Sequence, residues 1–251
     1  MLRATVTVVV MSLVVLAVGL PLLLIGIVYP WRALCDLGAA LWSRIILYCA
    51  GVDLRVEGNE VIADGVPRFY MGNHQSALDV PIIVAVLNGH VRFMAKDTLF
   101  RIPVFGWILS RYGFAPIKRT NARVTLQSLE RMLDRLREKP ISMAVFPEGT
   151  RSRDGRLLPF RRGTMKIGRR SGLPIVPFSI EGSMAVHHRD RFAATPGPVR
   201  LVFAKPIPAE EAAVMSTNEL HDRVVATIAR QLGQPIEVKA PEHAVFLAEG
   251  I

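Results

Sequence analysis

The chain has 251 residues and a formal net charge of +10, from 31 Lys+Arg against 21 Asp+Glu. That length holds one α/β domain, or one domain with an accessory segment. The charge favours an anionic partner: nucleic acid, anionic lipid or a phosphorylated metabolite.

The first elements are apolar. Residues 4–31 contain no charged side chain, and residues 6–28 are almost wholly aliphatic, with Thr7 and Ser12 the only hydroxyls. As helix, residues 6–28 would reach about 34 Å, against a hydrocarbon core of about 30 Å. A secretory signal has a shorter apolar run, about 7–15 residues, ending in small residues. Val28-Tyr29-Pro30-Trp31 is a poor cleavage site, so a retained membrane segment is expected. Gly19 and Pro21 interrupt its middle, where a proline can kink a helix. Tyr29 and Trp31 suit a membrane interface.

Residues 31–50 predict an amphipathic helix. Arg32, Asp36 and Ser43 fall on one narrow arc, with Leu34, Leu37, Leu41 and Ile45 opposite. Arg44 breaks the pattern, although its long side chain can snorkel. Such a helix either packs on the soluble core or completes a two-helix anchor in one leaflet; the anchor, residues 1–50, is the preferred reading. Arg3, Arg32 and Arg44 flank both ends and give little orientation signal. Cys35 and Cys49 lie in this stretch, match no CxxC or zinc spacing, and read as buried thiols in a reducing compartment.

Residues 51–235 read as an α/β domain. Strands are expected at 53–57, 67–71, 91–95, 113–117, 141–146, 175–180 and 199–203. Between them come a helix at 80–88, a short helical or lid-like segment at 98–110, and an amphipathic helix at 122–139 with Val124, Leu129, Met132, Leu133 and Leu136 on one face. Ser216-x-x-Glu219 is a capping box opening a last helix with Leu220, Val224, Val225, Ile228 and Leu232 inward. The alternation predicts a mixed, largely parallel central sheet flanked by helices. Residues 236–251 form a tail without a motif, and no internal repeat is visible.

Two stretches carry chemistry. In Asn73-His74-Gln75-Ser76-Ala77-Leu78-Asp79, a histidine and a carboxylate sit five residues apart at a strand-to-helix junction. Histidine suits general-base work near neutral pH, and a carboxylate can fix its tautomer. Five residues span about 140° round a helix, so contact requires His74 to precede the helix or lie in its first turn. Asp79 could instead be only a helix N-cap, and Ser76-x-x-Asp79 resembles a capping box that would leave Pro81 too deep. The second stretch is Phe146-Pro147-Glu148-Gly149-Thr150-Arg151-Ser152, again after a strand. Glycine permits a tight turn, and arginine offers a planar fork matched to phosphate. A local Glu148–Arg151 ion pair is the structural alternative. His187-His188 lacks a nearby ligand set, so no metal site is expected.

Together the two stretches match the NHxSxxD and FPEGTRS blocks of the glycerolipid acyltransferases, in order and separation. Lys96 through Pro103 to Gly106-Trp107, then Gly113 and Arg119, resembles the segment between them, and Leu173-Pro174-Ile175-Val176-Pro177-Phe178 the family's VP-containing strand. Residues 50–205 resemble the bacterial lysophosphatidate acyltransferase group of that family, and the N-terminal apolar pair is also typical.

The resemblance implies that His74, oriented by Asp79, deprotonates the free hydroxyl of a lysophospholipid, which attacks the thioester of acyl-CoA or acyl-carrier protein. No covalent acyl-enzyme is needed, and no metal or redox cofactor is implied. Arg151 is the candidate for the acceptor phosphate, with Lys96 and Arg119 as helpers. Glu148, Gly149 and Thr150 complete the loop, Glu148 fixing it or touching the glycerol. A bacterial inner membrane, with the catalytic domain on the cytoplasmic face, is the implied location. Another lyso-acceptor, such as lyso-ornithine lipid, is the alternative substrate. Arg151, Arg153, Arg156, Arg161, Arg162, Lys166, Arg169 and Arg170 crowd twenty positions opposed only by Asp154. They suit anionic headgroups, the substrate phosphate or an acidic carrier protein. No groove-reading or stacking motif supports nucleic acid.

Overall fold

The computed structural model describes residues 32–102, 105–111, 113–117, 132–134, 141–191 and 193–235. Helix α1 (Arg32–Ala50) leads into β1 (Val52–Glu57). Then come β2 (Phe69–Gly72), α2 (Asp79–Val86), β3 (Val91–Lys96), a 3-10 turn (Asp97–Arg101), α3 (Phe105–Arg111), β4 (Ala115–Ile117) and β5 (Ser142–Val145). The chain continues through α4 (Arg162–Arg170), β6 (Ile175–Glu181), α5 (Ser183–Val186), β7 (Gly197–Phe203), α6 (Ala209–Val214) and α7 (Thr217–Gln231).

The seven strands expected from the sequence form one sheet in the order β1-β7-β6-β2-β5-β3-β4. Among the described strands only the β6–β7 pair is antiparallel. Central β2 runs parallel to both neighbours, with Tyr70 level with Ala144 on one side and Val176 on the other. The loops after β2 and β5 therefore leave the sheet at the same carboxyl edge, where open α/β sheets build their sites.

Side chains alternate across the sheet, because successive residues of a strand face opposite sides. Tyr70, Ala144, Val176 and Phe178 join α1 and α2 in one core through Ile46, Leu47, Ile82 and Ile83. Phe69, Met71, Met143, Val145 and Ile175 face the other way, onto Met165 and Ile167 of α4 and Leu220, Val224 and Ile228 of α7. The helix opening at Ser216 has its capping box: Ser216 Oγ accepts from Glu219 N, and Glu219 Oε2 accepts from Ser216 N. Of the predicted 122–139 helix only 132–134 is described, as helix with Met132 and Leu133 buried.

Helix α1 reverses the burial its polar stripe suggests. Asp36 and Ser43 are buried, while Leu37, Leu41 and Tyr48 are 58%, 46% and 87% exposed. Asp36 is drawn in by a buried ion pair with Arg92, at 2.8 Å. Arg92 also donates both Nη1 protons, to the carbonyls of Gly89 and Val91. Gly89 lets the two segments close up: it has φ +77°, and a Cβ there would lie 2.0 Å from the Asp36 carbonyl oxygen. Breaking one side of such a pair typically costs about 3–5 kcal/mol, so this contact fixes α1 to the domain. The packed-helix reading and the apolar outer face thus coexist on one helix. Cys49 is exposed rather than buried, because it follows Tyr48 onto the outer side; Cys35's side chain lies outside the described residues. Among the described residues no helix is long and apolar enough to cross a membrane, and residues 6–28 lie outside them.

Candidate active site

The loop after β2 is pinned at its start. Asn73 donates to the Ile180 carbonyl and accepts from Ile180 N, both at 2.8 Å. The next residue, His74, has Nδ1 2.7 Å from Asp79 Oδ2. That oxygen also accepts Gln75 N at 2.7 Å and Ser76 N at 2.8 Å. A carboxylate can only accept here, so Nδ1 carries the proton and Nε2 is left as the ring's proton acceptor.

The geometry answers the capping alternatives. The N-cap position of α2 is Leu78, and no side chain caps it. Asp79 is the first helical residue, and its carboxylate reaches back over the preceding loop rather than forward to the helix. The positive helix end still favours a carboxylate there. Ser76 Oγ accepts from Leu78 N at 3.3 Å and donates to the His187 carbonyl at 2.8 Å, so it forms no capping box. Asp79 is fully buried, and its Oδ1 has no hydrogen-bond partner among the described residues.

The loop after β5 holds His74 from the other side. Phe146 stacks on the imidazole, with centroids 4.1 Å apart and planes at 14°. Glu148 Oε1 accepts His74 N at 3.1 Å, and Ser152 N donates to the His74 carbonyl at 2.8 Å. Both main-chain polar groups of His74 are therefore engaged by the second loop. Glu148 takes this role instead of the Glu148–Arg151 ion pair. It is buried, and its Oε2 lacks a partner among the described residues. Burial, with the nearby Asp79 charge, pushes its carboxyl up to about 9 against the pull of the His74 and Leu158 N–H groups. Glu148 is thus a neutral acid at neutral pH.

Gly149 makes the turn possible. Its φ is +70°, and a Cβ would lie 2.7 Å from Arg161 Nε. Thr150 is exposed and Arg151 half-buried. Arg151 lies close enough to His187 for its charge, after burial, to lower that imidazole's pKa. His187 in turn carries the carbonyl bound by Ser76, so Arg151 is at the rim of the His74 loop.

The structure thus brings together His74, Asp79, Glu148, Gly149, Thr150 and Arg151. Lys96 ends β3 level with Ile117, but its side chain lies outside the described residues, as does all of Arg119. Sequence reasoning missed the roles of Phe146, Ser152 and His187, which depend on contacts between distant segments. It also missed Gln234, whose amide donates to the Gly155 carbonyl at 2.9 Å while accepting Leu157 N at 2.8 Å. Gln75 donates to the same carbonyl, so the chain's last described residues brace the site loop. Among the described residues no group of three or more His, Cys, Asp or Glu is placed to hold a metal ion.

The acyltransferase family model matches residues 53–181, which contain both loops and the His–Asp pair. The chain belongs to the acyltransferase family. A chloroplastic 1-acyl-sn-glycerol-3-phosphate acyltransferase of Brassica napus is 36% identical over 171 residues, 67% of this chain and 49% of that protein. The protein of the same description from Arabidopsis thaliana is 32% identical over 192 residues, 76% of this chain and 53% of its own length. The chain spans about half the length of these plant relatives. The crystal structure of the 1-acyl-sn-glycerophosphate acyltransferase of Thermotoga maritima superposes with a TM-score of 0.80 at 25% identity, covering 92% of this chain and 94% of that one.

Proposed function

We propose that this acyltransferase is a membrane-associated enzyme that moves a fatty acyl chain from acyl-CoA or acyl-carrier protein to the free hydroxyl of 1-acyl-glycerol-3-phosphate, yielding phosphatidic acid. The observation that carries the reading is the His74 Nδ1–Asp79 Oδ2 contact of 2.7 Å at the carboxyl edge of the sheet. The names of its relatives support the acceptor.

The chemistry follows from the proton inventory. Nδ1–H is committed to Asp79, so Nε2 takes the hydroxyl proton as the oxygen attacks the thioester carbonyl. The C–S bond then breaks, and the thiolate leaves with the proton held on the imidazolium. Asp79 stabilises that cation across a buried hydrogen bond. A thiolate leaves readily, so no covalent acyl-enzyme is required. Arg151, half-buried at the rim, suits the acceptor phosphate as a bidentate donor.

Membrane association is supported by the apolar residues 6–28 and by the outward Leu37, Leu41 and Tyr48. A bacterial inner membrane, with the domain on its cytoplasmic side, is the proposed location. The test is purified enzyme with a panel of lyso-acceptors. Turnover is expected with 1-acyl-glycerol-3-phosphate and much less with lyso-ornithine lipid. Preference for the phosphate-free acceptor would overturn the substrate assignment and leave the reaction type.

A further inference from the structure

His187 braces the site through its main chain, not through its ring. Its carbonyl accepts Ser76 Oγ at 2.8 Å, and its N–H donates to the Ser183 carbonyl at 2.9 Å. Helix α5, just before it, lies against the second loop: a Cβ at Gly155 would sit 3.2 Å from Met184 Cε. His187 therefore stands where the His74 loop and the Arg151 loop meet. Its half-buried imidazole takes no part in the bracing, because Nδ1 is buried without a hydrogen-bond partner among the described residues. An unpaired buried polar atom costs stability, so packing alone does not favour a histidine here.

The charges around the ring are one-sided. Burial first, then the Arg151 guanidinium and His188, lower its pKa from the ordinary 6.5. The acids of the adjoining segments are engaged elsewhere. Asp190 lies 3.6 Å from His188 Nδ1, and Asp154 accepts Ser152 Oγ and Arg156 N. Asp79 is spent on the His74 loop, and Glu148 is neutral at neutral pH. Two basic groups whose neighbouring acids are spent make a place for an anion. A phosphate dianion only accepts hydrogen bonds, so the ring must offer it an N–H, and the dianion's charge favours the imidazolium.

We infer that His187 is a ligand to the acceptor phosphate beside Arg151, and that its ring takes up a proton when 1-acyl-glycerol-3-phosphate binds. This rests on the acyl-transfer reading above and assigns a further residue of its acceptor site. The proton comes from solvent, stays on His187 through the transfer and is separate from the one His74 removes. The complex thus holds a proton that the free enzyme lacks. Acceptor affinity is full below the free ring's pKa and is lost as pH rises through that of the complex.

Substitution of the ring leaves the main-chain bonds in place, so binding and bracing can be separated. Full-length wild type, His187→Ala and His187→Gln are assayed in detergent with 1-acyl-glycerol-3-phosphate and a thioester donor. Binding of a short-chain 1-acyl-glycerol-3-phosphate without donor is measured by calorimetry in two buffers of different ionisation enthalpy. His187→Ala is expected to raise the acceptor KM by about tenfold, with kcat and donor KM within about threefold of wild type. His187→Gln keeps a donor that cannot titrate, so it should lose less affinity. Its acceptor KM should rise less steeply than that of wild type between pH 6.5 and pH 8.5, and it should take up fewer protons on binding. The phosphate's own ionisation is common to both and drops out of the difference. An unchanged acceptor KM in His187→Ala, or equal proton uptake by wild type and His187→Gln, would overturn the inference. A fall in kcat at constant acceptor KM would also overturn it and make the ring a brace for His74. Binding with His187-dependent proton uptake but no transfer would sink the reaction and spare the ligand. Transfer with an acceptor KM indifferent to His187 would do the reverse.

Discussion

The two loops that leave the sheet side by side after β2 and β5 use their polar groups in opposite ways. In the first, nearly every group is committed: Asn73 to β6, the Gln75 and Ser76 N–H groups and His74 Nδ1 to one oxygen of Asp79, and Ser76 Oγ to His187. Each loop leaves one buried carboxyl oxygen without a partner among the described residues, Asp79 Oδ1 and Glu148 Oε2, but the second also holds Arg151 half-buried at the rim. Such closure fixes a reacting group to the tolerance that chemistry needs. Openness is what a binding loop requires, because a phosphate must find its donors unspent. The first loop is therefore assigned to proton transfer and the second to support and recognition.

The largest effect should come from breaking the closed loop. His74→Ala removes the proton acceptor and is expected to cut kcat by about 10²–10⁴. Asp79→Asn keeps the shape, but its amide can donate where the carboxylate only accepts, so Nδ1–H and two N–H groups compete for one weaker acceptor. Its loss should approach that of His74→Ala, and the double variant should lose little more, because the pair acts as a unit. Additive losses in single-turnover rates would show that Asp79 serves the loop and not the base.

A smaller effect, with a different signature, is expected from the open loop. Arg151→Ala should raise KM for 1-acyl-glycerol-3-phosphate by about 10–100-fold, since a charge-assisted hydrogen bond contributes about 1.5–3 kcal/mol. Its kcat should change much less. Equal losses toward a phosphate-free acceptor would make Arg151 structural and erase the contrast between the loops.

Much of this was legible in the sequence because it is local. The strands announce themselves as short apolar or alternating runs, and about 140° of helix between His74 and Asp79 required the histidine to precede the helix or lie in its first turn; it precedes it. What was not legible depends on partners far along the chain. The helical wheel placed Asp36 and Ser43 on one arc of α1, but Arg92, 56 residues away, decides that this arc faces protein. The same helix turns Tyr48 and Cys49 outward, which overturns the buried-thiol expectation for Cys49. Helix α4 was read as a basic run although its buried residues, Thr164, Met165, Ile167 and Gly168, recur at helical spacing; with a threonine and a glycine among them, its inner face carries few apolar side chains, and Arg162, Lys166, Arg169 and Arg170 dominate. The role of Glu148 needed β2 and β5 to be neighbours, which no local pattern encodes.

Glu148 offers the finest division between the loops. Its folded pKa of about 9 lies above the ordinary 4.5. Between those values the native state holds a proton that the unfolded state has lost, so stability is full below about pH 4.5 and falls as pH rises toward 9. Glu148→Gln reproduces the neutral acid: its amide oxygen can accept His74 N–H, and its NH₂ occupies the place of the acid's O–H. The thermal midpoint of the wild type should fall between pH 5 and pH 9, by about 2–4 °C for each kcal/mol lost. In Glu148→Gln the midpoint should be flatter across that range. Its turnover at pH 7 should exceed that of Glu148→Ala by about tenfold, the equivalent of one lost hydrogen bond. A Gln variant as slow as the Ala variant, with an unchanged pH slope, would mean that a charged Glu148 meets the substrate. The second loop would then join the first in the chemistry, and the division of labour between them would fail.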